Sequence, residues 1–91
     1  MNPKLPYRIP NTILLQKIDG ESILLDSNSN QFFALNPIGE QIWELITQSK
    51  EPAAILETLQ QLYDAPQEVL KNDISTFLNV LVDRGLLIKE S

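Results

Sequence analysis

With 91 residues, 43% of them apolar and 21% charged, the chain has the composition of a folded domain with room for one thin core. It contains no cysteine and no histidine, which removes disulfides, thiolate chemistry, the commonest general base and the commonest neutral metal ligand. Twelve acidic against seven basic residues give a formal charge of -5, an excess that keeps a small domain in solution, repels nucleic acid and anionic lipid, and suits a partner carrying some positive charge.

In Met1-Asn2-Pro3-Lys4-Leu5-Pro6 there is no apolar run of the secretion-signal kind, and the apolar runs elsewhere are only a few residues long, so a cytoplasmic location without membrane association is expected. Residues 12–18 are mostly apolar and stop at Asp19-Gly20, after which 22–26 is apolar again. Asp-Gly between two such runs signals a hairpin, because both central positions of a type I′ turn need positive φ. Asp26-Ser27-Asn28-Ser29-Asn30 is loop chemistry, since these side chains bond nearby backbone. A third strand follows at 31–35, and an antiparallel meander is the economical arrangement.

Asn36-Pro37 switches the period from two to 3.6, with Asn36 suited to cap a helix and Pro37 to begin one. Ile38, Ile42, Leu45 and Ile46, with Trp43 beside them, predict a first helix over 37–48. Glu51-Pro52 restarts the pattern, and Ile55, Leu56, Leu59, Leu62 and Tyr63 predict a second helix over 52–64. From Pro66, the stripe Leu70, Ile74, Phe77, Leu78, Leu81 and Val82 predicts a third over 66–84. Gly85 suits a left-handed helix end and Arg84 the negative end of the helix dipole. The tail from Leu86 to Lys89 is expected to pack back as a short strand. The predicted fold class is α+β, a three-stranded antiparallel sheet followed by three helices, with 1–91 forming a single domain.

Phe32-Phe33-Ala34-Leu35-Asn36-Pro37-Ile38-Gly39, then Ile42-Trp43-Glu44-Leu45, and farther on Leu81-Val82-Asp83-Arg84-Gly85-Leu86-Leu87, together resemble the signature of the PqqD-like family across about 13–88. The ordered set carries the resemblance; each piece alone is common. It implies a winged helix-turn-helix-like precursor-peptide recognition element, whose partners are the leader of a ribosomally made peptide and a leader protease, cyclase or radical enzyme. In such domains the leader adds as a strand beside the third strand and lays side chains against the third helix. Lasso-peptide systems are favoured over quinone-cofactor or sactipeptide ones because compact stand-alone domains are common there. A monomer or weak dimer is expected, without cofactor or metal.

The residues suit that task. An exposed strand offers unpaired N–H and C=O groups that bond a peptide almost regardless of its sequence, and Gln31, Phe32, Phe33, Ala34 and Leu35 would supply them. Alternation places Gln31, Phe33 and Leu35 on one face and Phe32 and Ala34 on the other; five residues do not fix which face turns inward, and each Phe is either core or the border of a pocket. A proline at Phe33 is expected to abolish binding. On the third helix Val69, Asp73, Thr76, Val80 and Asp83 or Arg84, with Phe77 adjoining, form a face mixing apolar and acidic groups. It is either a solvated boundary or a groove for one apolar anchor and one cation.

Two other functions fare worse. A winged DNA-binding helix should present cations to phosphate and donors to base edges, yet 66–85 holds only Lys71 and Arg84 against Glu68, Asp73 and Asp83. Catalysis would need a nucleophile with a base, and no histidine is available to activate Ser or Thr. Glu40 and Glu44, one turn apart, read as a solvated helix face.

Overall fold

The computed structural model describes residues 7–48 and 51–89. The elements run β1 (Tyr7–Arg8), β2 (Ile13–Ile18), β3 (Glu21–Asp26), β4 (Gln31–Leu35), α1 (Pro37–Thr47), α2 (Pro52–Leu62), α3 (Gln67–Asp83) and β5 (Ile88–Lys89). The α+β order, with a three-stranded sheet preceding three helices, is the one the periodicities predict. The sheet order is β2-β3-β4, antiparallel throughout.

Local chemistry accounts for the turns. Asp19 and Gly20 sit at φ 53° and 81°, so the β2–β3 hairpin turns through two left-handed residues. In the β3–β4 loop the Asp26 carboxylate accepts from the Asn28 backbone N–H and the Ser29 hydroxyl, each at 3.0 Å. The Asn28 bond chiefly holds that carboxyl below its usual pKa. Asn36 caps α1, its side chain accepting from Gly39 N–H at 2.7 Å, with Pro37 behind it. At the end of α3, Leu86 N–H donates to the Leu81 carbonyl at 2.8 Å and Gly85 N–H to that of Val82 at 3.1 Å. Gly85 has φ 74°, and the pair of bonds makes a Schellman closure that brings Leu86 onto Leu81.

All three helices differ from expectation at their ends, α1 only by stopping at Thr47 with Gln48 as its C-cap. Helix α2 stops at Leu62 because Tyr63 turns extended, φ -126° and ψ 136°, and packs its ring against the core. Helix α3 starts at Gln67, one residue later than expected, because Pro66 has extended ψ 145° and acts as the cap. Strand β1 has no counterpart in the sequence reading. It pairs with β5, Tyr7 with Lys89 and Arg8 with Ile88, so the tail strand packs against the start of the chain rather than the main sheet.

One core joins the layers. Leu24 and Leu35 from the sheet meet Ile42, Trp43 and Ile46 of α1, Ile55 and Leu59 of α2, and Leu70, Ile74, Leu78 and Leu81 of α3. The apolar stripe of α3 is therefore 70, 74, 78 and 81, one helix face at steps of four, four and three. Ser22 is 1% exposed within this otherwise apolar layer. Its hydroxyl donates to the Glu40 carboxylate at 2.6 Å, and Lys17 Nζ lies 3.4 Å from the other oxygen. Glu40 thus ties α1 to the sheet and is not the solvated group that its spacing from Glu44 suggests. A buried hydroxyl needs a partner, and the inward alternation of Ser22 was the available clue.

Candidate functional site

Strand β4 is an edge of the sheet, bonded to β3 and to no other strand among the described residues. Which of its main-chain groups remain free follows from the hairpin. A two-residue turn bonds its flanking residues, so Ile18 and Glu21 form a hydrogen-bonded pair. In an antiparallel ladder such pairs recur at every second residue. Glu21, Ile23 and Leu25 therefore spend their N–H and C=O groups on β2, and the bond from Ser27 N–H to the Thr12 carbonyl, 2.9 Å, continues the same parity. Ser22, Leu24 and Asp26 consequently bond Leu35, Phe33 and Gln31. Phe32 and Ala34 are left with main-chain groups directed at the open edge. The N–H of Phe33 points into the sheet, so a proline there would damage the fold itself; the clean position for an edge-blocking substitution is Ala34.

Beside this edge runs a groove of 380 Å³ lined by Phe33, Asn36, Ile38, Gly39, Ile42, Asn72, Asp73, Thr76, Phe77 and Val80. Its floor comes from α1 and one wall from α3. Gly39 lets the wall close in: a Cβ there would lie 2.9 Å from Cε1 of Phe77 and 3.1 Å from the Asn36 side-chain oxygen. At one end the guanidinium of Arg84 stands 5.3 Å from the centroid of the Phe33 ring, within the range of a cation–π contact.

Of the residues the sequence analysis singled out, Phe33, Asp73, Thr76, Phe77 and Val80 come together at the groove. Leu35 shares the face of Phe33 but is buried in the core. Gln31 and Ala34 are exposed along β4. Phe32 is 68% exposed on the opposite face, beside Ile18, Ile23 and Leu25, so only one of the two phenylalanines can meet a side chain in the groove. Val69 is 49% exposed and outside the lining. The groove also uses Asn36, Ile38, Gly39, Ile42 and Asn72, which the sequence reading did not assign to it. Asn36 and Gly39 were legible as a helix start, but their second role depends on α3 crossing above them.

The structure offers main-chain bonding along β4 and a small groove mixing apolar side chains with one carboxylate, an arrangement that can hold an extended peptide. Among the described residues no helix is long and apolar enough to cross a membrane, and no cluster of three carboxylates could hold a metal ion.

Residues 21–87 match the family model described as coenzyme PQQ synthesis protein D (PqqD). Among solved structures, TbiB1 in complex with the TbiA(beta) leader peptide is similar with a TM-score of 0.84 and 26% identity, covering 92% of this chain and 98% of that one. A lasso peptide synthetase B1 complexed with the leader peptide has the same TM-score of 0.84 at 22% identity, covering 91% and 98%; that likeness is one of fold. No curated protein matches the sequence.

Proposed function

The chain belongs to the PqqD family, and from that membership we infer that it binds the leader segment of a ribosomally made precursor peptide and delivers it to a modifying or processing enzyme. The observation that carries this reading is the free edge of β4 at Phe32 and Ala34 running beside the groove of Phe33, Asp73, Phe77 and Val80. A leader strand gains main-chain bonds along the edge, and its alternate side chains turn toward α3. The main-chain bonds supply affinity, and the groove selects among sequences.

The role is one of binding and presentation, without a reaction of its own. The likeness to TbiB1 with its leader peptide, at 26% identity over nearly the whole chain, supports leader binding and favours a lasso-peptide system, in which the partner is a leader protease or cyclase. The test sequences the genes flanking this one and titrates, by fluorescence anisotropy, a labelled synthetic copy of the N-terminal segment of each short open reading frame found there. A saturable rise is expected, together with retention of the co-encoded enzyme on immobilised protein when leader is present. A flat titration sinks the proposal.

A further inference from the structure

Along the groove side of α3, Asp73, Phe77, Val80 and Arg84 follow at steps of four, three and four, which places them on one stripe. Asp73 lines the groove, and no described residue forms an ion pair with it. Arg84 is held over Phe33 at the other end, and the apolar stretch of Phe77 and Val80 lies between. The two ends thus carry opposite charges. Phe77 meets Gly39 while Arg84 meets Phe33, so α3 runs opposite in direction to the chain leaving β4, with Arg84 beside Phe33 and Asp73 one turn beyond Phe77 on the Leu35 side.

We propose, on the basis of the leader-binding reading, that the groove selects leaders by charge order: a basic residue, an apolar residue two positions later and an acidic residue two positions after that. The spacing follows from geometry. Eleven helical residues separate Asp73 from Arg84, about 16 Å along the axis, and four strand residues span about 13 Å. Long charged side chains cover the difference. The parity of the edge places the leader side chains opposite Leu35, Phe33 and Gln31 on the helix-facing side, two residues apart. Each strand of this sheet pairs antiparallel, and a leader added in the same sense meets the Leu35 end first. The basic member therefore comes N-terminal to the acidic one.

The parent leader and its single substitutions to Lys, Glu and Ala are titrated by anisotropy at low salt against the wild-type chain, Asp73→Lys and Arg84→Glu. One helix-facing position should prefer Lys to Glu by about two- to fivefold, the range of exposed ion pairs, and the position four residues later should prefer Glu to Lys. Asp73→Lys inverts only the first preference and Arg84→Glu only the second, while Arg84→Lys preserves both. Preferences that neither variant changes, or that run in the reverse order along the peptide, overturn the charge-order proposal alone. Failure of the unsubstituted leader to bind wild-type protein overturns the leader-binding reading and this proposal with it.

Discussion

Ala34→Pro isolates the contribution of the sheet edge, because the N–H it removes is directed away from β3. Proline is tolerated on an edge strand when its missing donor faces outward, so the β3–β4 ladder keeps its bonds at Gln31, Phe33 and Leu35. On binding, the variant lacks one main-chain hydrogen bond, a net loss of about 0.5–1.5 kcal/mol. It also leaves a leader carbonyl facing the proline ring without a donor, which costs about 1–3 kcal/mol more. The combined loss of about 1.5–4.5 kcal/mol corresponds to a roughly 10- to 2000-fold weaker Kd. Anisotropy titration of the labelled leader measures it, and circular dichroism verifies that the sheet and helices persist. Phe33→Pro serves as the contrast: it deletes a bond inside the sheet and a groove-lining ring, and should lose the cooperative thermal transition. An Ala34→Pro protein that keeps its fold and binds leader within about threefold of wild type would refute strand addition at β4.

Gly39→Ala should weaken binding in a protein that still folds. The new methyl drives the Phe77 ring into the groove, and the packing cost of about 1–3 kcal/mol is offset in part by up to about 1 kcal/mol of helix propensity. Leader affinity should fall about tenfold, and the net cost of about 0–2 kcal/mol should lower Tm by no more than about 15 °C; unchanged affinity would remove Phe77 from the site. Asn36→Ala loses the cap bond to Gly39 at about 1 kcal/mol, lowering Tm by about 4–8 °C in calorimetry, whereas Asn36→Asp should restore most of it. The Ser22 hydroxyl bond, followed by Lys17, holds the Glu40 carboxyl below its ordinary value of 4.5. Because the folded pKa is the lower one, this stabilisation is complete above 4.5 and is lost as pH falls through the folded value. Urea midpoints from pH 7 to 3 should therefore fall less steeply in Glu40→Gln; parallel curves would show that the Ser22–Glu40 link is not coupled to folding.

Much of this molecule is decided by short stretches of chain. Asp19-Gly20, Asn36-Pro37 and Arg84-Gly85 set a hairpin, a helix start and a helix end because turn and cap geometry depend on a few consecutive dihedrals and nearby side-chain bonds. The stripes of α1 and α3 follow from periodicity. The absence of histidine and cysteine, a property of composition, narrows the chemistry before any fold is known. Tertiary structure decided what depends on elements distant in sequence. Alternation split Phe32 from Phe33 but could not say which faced the helices; that required the sheet to dock on α1 and α3. The pairing of Tyr7–Arg8 with Ile88–Lys89 joins opposite ends of the described chain and leaves no local trace. Val69 and Asp73 are one turn apart on α3, yet only Asp73 reaches the groove, because β4 and the first turn of α1 lie across from the later part of that helix. Among the described residues strand β4 is an open edge, the β1–β5 ribbon lying in a separate sheet. Local dihedrals and side-chain bonds are written into neighbouring residues, whereas an edge, a face and a groove exist only once distant elements exclude water between them.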